Sequence, residues 1–201
     1  CEFAVRFAKL NNEYPTKEEF INEFKKALDK LPMSSYKQRE IHIERGEKAL
    51  SEYYIQMCNT PSSMLYEVEK PINFELDGIK FYGIIDRIDK NSDGTYTIYD
   101  YKTGGAKDSK IICPDGKHED YYNQMGLYKY YFEKSTGNTV KETIFIFPEE
   151  FTDNFTLNLT QDDCKAIDAK FKEAISNIKN YKFNPTPSNE TCKYCPYKDF
   201  C

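Results

Sequence analysis

The chain has 201 residues, of which 30% are charged and 15% aromatic, and its net charge is -5. This length favours a single domain with one sizeable core, and the negative charge argues against a protein that holds nucleic acid through a basic surface alone. No apolar run approaches the ~20 residues of a membrane span and no segment resembles a signal peptide, so we expect a cytoplasmic protein without membrane contact.

Three helices are predicted in the N-terminal part of the chain. The opening residues, about 2–10, have the pattern of a first helix. A capping box formed by Thr16 and Glu19 predicts a second helix from about residue 17 to residue 30. A third helix is expected to begin after Ser34 or Ser35 and to reach about residue 57. Its expected apolar positions are Ile41, Ile43, Leu50 and Tyr54.

A meander of three strands is predicted after residue 64, where apolar and polar residues begin to alternate. Asp77 and Gly78 are expected to form a hairpin turn between the first two strands, because this dipeptide adopts the tight turn that antiparallel strands need. A second turn at residues 91–94 leads to a third strand at residues 96–102. A polar loop over residues 103–118 follows.

Helices and strands alternate in the second half of the chain. A helix is predicted at residues 121–134, a strongly apolar and therefore central strand at 140–147, and a further strand at 155–159. A capping box of Thr160 and Asp163 begins a last helix that reaches about residue 181.

This order of elements predicts the α/β (α+β) class. We expect a central mixed sheet flanked by helices at residues 61–184, a helical part at residues 1–60 and a cysteine-rich tail at residues 185–201, all in one structural domain. The chain begins with Cys1 rather than Met and ends at Cys201, so we also expect it to be a piece of a larger protein.

Two acidic residues on neighbouring strands of the meander are the first candidates for chemistry. Asp86 lies among isoleucines, where an unpaired charge is costly. Asp100 and Lys102 are two residues apart and therefore project from one face of a strand, to which the adjacent strand could bring Asp86. Two carboxylates beside an ammonium suit Mg²⁺ or Mn²⁺, with Lys102 orienting a nucleophile or balancing charge. The alternative is a hairpin residue and an exposed cross-strand ion pair.

Three sequence motifs point to a known family. They are Gly-Ile-Ile-Asp-Arg-Ile-Asp at residues 83–89, Asp-Tyr-Lys-Thr-Gly at 100–104 and Gln-Met-Gly-Leu-Tyr at 124–128. Together they resemble the nuclease motifs of RecB, AddB and their relatives in the PD-(D/E)XK superfamily, whose core is restriction-endonuclease-like. The resemblance covers about residues 64–201.

The resemblance implies a role for each matching residue. Asp86 and Asp100 would be metal ligands, Tyr101 would offer its backbone carbonyl to the metal, and Lys102 would be the catalytic lysine. Gln124 and Tyr128 match the Q-x-x-x-Y motif of the family. Their spacing puts both on one helix face, where they could hold DNA or order the site. Helix periodicity alone would make Tyr128 a core residue and Gln124 a surface residue.

The first helix departs from the family pattern. Relatives usually carry a metal-binding histidine there, whereas Arg6 occupies the corresponding place, and an arginine cannot bind a cation. The two histidines of the chain, His42 and His118, lie outside that setting.

Three cysteines form a C-x2-C-x5-C pattern at the end of the chain: Cys192, Cys195 and Cys201. The total of 7 cysteines is odd, which argues against a closed disulfide framework, and the spacing allows zinc or an iron-sulfur cluster. Similar tails in AddB-like and CRISPR-associated RecB-like nucleases imply a 4Fe-4S cluster completed by an N-terminal cysteine, which would be Cys1. The remaining thiols, those of Cys58, Cys113 and Cys164, are expected to be ordinary.

The leading functional hypothesis is a Mg²⁺-dependent deoxyribonuclease, an exonuclease or end-processing module that works with a helicase in recombinational DNA repair. Its partners would be DNA and a helicase domain or subunit. The alternative is a catalytically impaired nuclease-like domain that grips DNA or scaffolds a helicase, which the arginine on the first helix favours. A zinc-ribbon binding protein would explain the cysteine tail and leave the strand motifs without a role.

Overall fold

The structure, a computed structural model, describes residues 1–105, 110–149, 154–185, 187–188 and 192–198. Within these ranges, the helices and strands follow the predicted order. Cys201, predicted to be a cluster ligand, lies outside the described residues.

Three helices form the N-terminal part: α1 (Glu2–Asn11), α2 (Lys17–Asp29) and α3 (Tyr36–Cys58). The predicted capping box of α2 is present, with Thr16 and Glu19 each satisfying a backbone amide of the other. α3 begins after Ser35, whose hydroxyl accepts a hydrogen bond from the Gln38 amide at 3.2 Å. The predicted apolar face of α3 is partly wrong, since Ile41 is 46% exposed. The helix instead buries Ala49, Tyr53 and Met57.

In the described part of the chain, five strands form one mixed sheet in the order β1-β2-β3-β4-β5. Their bounds are β1 (Leu65–Leu76), β2 (Ile79–Lys90), β3 (Tyr96–Tyr101), β4 (Val140–Ile146) and β5 (Phe155–Leu157). The β1–β2 hairpin turns at Asp77 and Gly78, both with positive φ, as the sequence predicts. β4 pairs with strands on both sides, although β3 is the middle strand of the five.

The described part of the second half of the chain contains the helices α4 (Glu119–Thr136) and α5 (Gln161–Lys179). α4 carries the chain from β3 to β4, and this crossover makes the β3–β4 pair parallel, whereas every other strand pair is antiparallel. Among the described residues, none of the helices combines the length and apolar character needed to cross a bilayer.

The sheet packs helices against both of its faces. Tyr96 and Ile98 of β3 belong to the main core, which they share with buried residues of α4 and α5. Tyr99 and Tyr101 of the same strand pack instead into a second core formed with the N-terminal helices. This alternation along β3 follows from the two-residue period of a strand. The predicted α/β class, with a central mixed sheet flanked by helices, is confirmed.

Candidate active site

The candidate site lies where β2 and β3 separate. The ladder between these two strands runs from the pair Lys90–Tyr96 to the pair Arg87–Tyr99. β2 then continues alongside β1 alone, so Asp86 is the first residue of β2 beyond the ladder. Its Oδ2 accepts a hydrogen bond from the backbone amide of Tyr101 at 2.7 Å. A carboxylate is thereby held across the opening between the two strands.

Asp100, Lys102 and Gln124 are in direct contact. The Lys102 ammonium lies 2.7 Å from Asp100 Oδ2 and donates to Gln124 Oε1 at 2.7 Å. The Gln124 amide nitrogen donates to Asp100 Oδ1 at 3.1 Å and to the Tyr128 hydroxyl at 3.1 Å. The spacing of Asp100 and Lys102 therefore puts them side by side, as predicted, and α4 supplies the amide that joins them.

Burial and charge oppose each other at Asp100, which is only 3% exposed. Burial raises the pKa of Asp100, the Lys102 ammonium lowers it, and the nearby Asp86 charge raises it again, with a net increase. Oδ2 of Asp100 is buried and forms an ion pair with the Lys102 ammonium at 2.7 Å, and no other partner of this oxygen is found among the described residues. A carboxylate oxygen has two lone pairs, so one remains for a cation beside the contact with Lys102.

Aromatic rings enclose the Lys102 ammonium on its other sides. Its Nζ lies 4.6 Å from the ring centre of Tyr121 and 5.9 Å from that of Phe145. Ring faces attract cations and exclude water. They therefore hold the ammonium in the cleft lined by Asp86, Asp100, Lys102 and Gln124, and they strengthen its charge interactions.

Tyr128 packs against the backbone of β2. A side-chain carbon added at Gly83 would lie 2.9 Å from the Tyr128 ring, a distance that real contacts do not show. Glycine at position 83 therefore lets α4 approach the strand closely enough for its Gln124 to reach Asp100. Gln124 and Tyr128 both belong to the polar network of the cleft, and the Tyr128 ring also packs against the main core.

The arrangement fits a hard divalent cation held by few protein side chains. The carboxylates of Asp86 and Asp100 and the backbone carbonyl of Tyr101 are oxygen donors of the kind that Mg²⁺ and Mn²⁺ prefer. The described residues contain no group of three His, Cys, Asp or Glu side chains arranged to hold a metal. A cation here would therefore take its remaining ligands from water and from substrate oxygens, as Mg²⁺ commonly does.

Comparison with known proteins identifies the family of the chain. Residues 2–201 match the PD-(D/E)XK nuclease superfamily. The chain belongs to this superfamily. Two solved structures are similar at low identity. One is provisionally described as an exonuclease from Eubacterium rectale, with 16% identity, a TM-score of 0.49 and coverage of 100% of this chain and 80% of that one. The other, SSO0001, has 17% identity, a TM-score of 0.41 and coverage of 92% and 95%. No curated protein matches.

Arg6, which was predicted to stand in the place of a metal-binding histidine, lies on α1. It is exposed and pairs with Glu2 one turn earlier, at 2.7 Å. The two histidines lie elsewhere: His42 lines a cavity between the N-terminal helices, and His118 stacks on Tyr121 with ring centres 5.1 Å apart. The structure therefore brings no histidine to Asp86.

Glu69 is an acidic residue near Asp86 that the sequence reasoning missed. The pairs on either side of it in the β1–β2 ladder, Val68–Arg87 and Lys70–Ile85, place it across from Asp86. Its pKa is raised by burial and then by the Asp86 charge, and its φ of 50° is a left-handed value that glutamate rarely adopts. The alternating pattern of β1 gives no signal for such a backbone conformation. The Glu69 carboxylate thus lies near enough to Asp86 to feel its charge.

A buried polar network behind the site was also missed. Arg87 and Asp89 are 2% and 1% exposed and pair through two hydrogen bonds, at 2.8 and 2.6 Å. Burial alone would lower the pKa of Arg87, but the Asp89 pair raises it above its ordinary value. Arg87 also donates to the Tyr53 hydroxyl, which lies 2.6 Å from that of Tyr101. The sequence did contain a signal for this buried pair, namely opposite charges two residues apart on a strand rich in isoleucine.

The predicted cluster ligands are only partly described. Cys1 is half-buried at the start of α1, and Cys192 and Cys195 lie in a short turn in which the Cys195 amide donates to the Cys192 carbonyl at 3.3 Å. All three are free thiols, and no metal-binding group of three is found in the part of the chain that the structure describes. Of the thiols expected to be ordinary, Cys164 is buried, and burial raises its pKa to about 11.

Proposed function

We propose that this chain is a metal-dependent deoxyribonuclease of the RecB/AddB-like type within the PD-(D/E)XK superfamily. The observation that carries the proposal is the contact of Asp100, Lys102 and Gln124 beside Asp86. The superfamily consists of nucleases, and the cleft has the two carboxylates and the ammonium that phosphodiester hydrolysis needs. The acidic cleft also accounts for a nuclease with a net charge of -5.

Each residue of the cleft has its own role in the proposed hydrolysis. Asp86 and Asp100, with the Tyr101 carbonyl, would hold Mg²⁺ or Mn²⁺, which polarises the phosphodiester and lowers the pKa of bound water. The Lys102 ammonium stabilises the negative charge that grows on the phosphate oxygens in the transition state. Gln124 holds that ammonium in one position, because its Oε1 accepts from Lys102 while its amide nitrogen is committed to Asp100 and Tyr128.

The biological process, the cysteine cluster and the domain organisation are part of the same proposal. An exonuclease or end-processing activity, partnered with a helicase in recombinational DNA repair, matches the RecB/AddB-like motifs at residues 83–89, 100–104 and 124–128. Cys192, Cys195 and Cys201, with Cys1 as the fourth ligand, would hold a 4Fe-4S cluster, for which zinc is the alternative. We assign residues 1–60, 61–184 and 185–201 to one cytoplasmic structural domain with helical part, nuclease core and tail.

Cleavage of labelled single- and double-stranded DNA by the purified chain tests this function. With Mg²⁺ or Mn²⁺ the wild type should degrade DNA, and Lys102→Ala should lose on the order of 10²-fold or more in rate with little change in DNA affinity. Lys141→Ala is a matched control, since its ammonium pairs with Asp93 on the surface. Equal rates for Lys102→Ala and wild type would show that the active site lies elsewhere.

The second candidate function is a nuclease-like domain that binds DNA without cutting it. The exposed Arg6, in place of a metal-binding histidine, favours this alternative. A wild type that binds DNA but degrades neither form with Mg²⁺ or Mn²⁺ would establish it. Cleavage that appears only in Arg6→His would mean that the missing ligand is the cause.

A further inference from the structure

A groove of about 390 Å³ adjoins the candidate active site on the side of the β1–β2 hairpin. It shares Gln124 and Tyr128 with that site and extends from them to Tyr82 on β2 and to Phe171 on α5. Tyr82 is 67% exposed although several of its neighbours in the groove are aromatic, so most of this residue is accessible to a ligand. The groove is thus continuous with the cleft in which phosphodiester hydrolysis is proposed.

We propose that this groove binds an unpaired nucleobase of the DNA strand that is cut, stacked on Tyr82. The proposal rests on the proposed nuclease function and specifies its substrate as a strand with at least one unstacked base near the scissile phosphate. Tyr82 lies four residues before Asp86 on β2, which is about 13 Å along a strand. The base would therefore belong to a nucleotide near the one that is cleaved.

The charge of the groove favours a base over a phosphate. None of the described residues that line it is a lysine or an arginine, and Asp120 stands at its rim. A phosphate would be repelled there, whereas an uncharged base can stack on an aromatic ring. The phosphates of the same strand would follow the cleft, where Lys102 lies.

A polar side chain in the groove can form hydrogen bonds with the edge of such a base. Asn123 lies beside Gln124 on α4 and lines the groove, and no hydrogen bond or ion pair engages its side chain among the described residues. A carboxamide offers both a donor and an acceptor, the combination that pairs with base edges. An aromatic face with a free amide beside it is a recurrent way of holding an unpaired base.

A paired base would not fit this role. Within a duplex both faces of a base are covered by its neighbours, so an aromatic side chain reaches a face only after the base has left the stack. The groove therefore predicts a preference for single-stranded DNA, or for a frayed end, over an intact duplex.

Binding of two matched oligonucleotides tests the inference. One is a single strand of thymidines, and the other has the same backbone with abasic residues, so only the bases differ. Affinity is measured with Ca²⁺ in place of Mg²⁺, with gels confirming that the DNA stays intact. Wild type should bind the thymidine strand about tenfold more tightly than the abasic strand, which corresponds to one stacked base.

Substitutions assign that difference to the groove. Tyr82→Ala should bind both strands with the affinity that wild type has for the abasic strand. Tyr82→Phe should retain the preference for the thymidine strand. Tyr36→Ala removes another exposed tyrosine, on α3, and should behave as wild type. A wild type that does not distinguish the two strands, or a Tyr82→Ala that still does, overturns the inference. If Tyr82→Ala loses as much affinity for an intact duplex as it loses for the thymidine strand, the inference is also overturned. Lys102-dependent cleavage would persist in each of these cases, so the proposed function would stand.

Discussion

The hydroxyls of Tyr53 and Tyr101 lie 2.6 Å apart, one on α3 and the other on β3. The backbone amide of Tyr101 holds Asp86, so this contact ties the N-terminal helices to a predicted metal ligand. Both tyrosine side chains lie in the second core, where burial raises the pKa of each above its ordinary value. Both therefore stay neutral and can only share one hydrogen bond between them.

Tyr53→Phe should weaken both the fold and the site. It leaves the Tyr101 hydroxyl buried with one partner fewer, which costs about 1–3 kcal/mol in the free energy of unfolding. Because Tyr101 positions Asp86, Mn²⁺ affinity should also fall. Urea denaturation and calorimetric titration measure the two effects. Tyr54→Phe is the control: it loses a bond of 2.7 Å to the Pro15 carbonyl but is not linked to Asp86. Equal Mn²⁺ affinities for the two variants would contradict the positioning role.

Glu69→Gln should weaken divalent-cation binding. The carboxylate lies across from Asp86 in the register of β1 and β2, close enough for the two charges to interact. Removal of a charge beside metal ligands commonly lowers affinity by roughly 10-fold or more. Glu67→Gln, on the same strand and paired with Lys70 at 3.7 Å, is the matched control. Calorimetric titration with Mn²⁺ that finds the same affinity in both variants would remove Glu69 from the site.

Local signals in the sequence predicted the elements well. The capping boxes at Thr16 and Thr160 and the hairpin turn at Asp77 depend on residues within three positions, and the structure confirms each of them. α3 was harder, because its buried Tyr53 and exposed Ile41 reverse the order that hydrophobicity alone suggests. Tertiary contacts decide that case, since the Tyr53 hydroxyl has partners on β2 and β3.

In the candidate site, too, the sequence predicted what depends on local patterns and missed what depends on tertiary contacts. The meander made it possible to predict that Asp86 would approach Asp100, since the strands that carry them are consecutive. The hydrogen bond that the Tyr101 amide donates to Asp86 depends on the point where β2 and β3 separate, which no residue pattern marks. Glu69 depends on a left-handed backbone at a glutamate, which is an exception to residue preference.

The C-terminal cysteines predict a coloured protein. Purified without oxygen, the chain should be brown and absorb visible light if thiolate-bound iron is present, whereas zinc gives no colour. Cys195→Ser should abolish the absorbance by removing a ligand, while Cys58→Ser, which replaces an exposed thiol, should not. Metal analysis of the same samples provides the second measurement. Colourless wild type with stoichiometric zinc would refute the iron-sulfur assignment.

The packing of α5 on α4 should depend on pH through Asp168, which is 6% exposed. It accepts a hydrogen bond from the Tyr131 hydroxyl at 2.5 Å and pairs with Lys172 at 2.7 Å. Burial alone would raise the pKa of Asp168, but these two partners outweigh it and the pKa is lowered. A lowered pKa means that this group adds stability above its unfolded value of about 3.9, and that the gain disappears as the pH falls through the folded value.

Asp168→Asn should therefore reduce the free energy of unfolding at pH 7 by about 1–3 kcal/mol, the usual loss when a charged hydrogen-bond partner is replaced. The difference from wild type should shrink as the pH falls below about 4, because the wild-type carboxylate then takes up a proton. Urea denaturation at a series of pH values measures both quantities. Asp162→Asn, a change on the same helix at a side chain that is 93% exposed, should have little effect at any pH. A difference for Asp168→Asn that stays constant from pH 7 to pH 3 would show that the bond matters through its geometry and not through its charge.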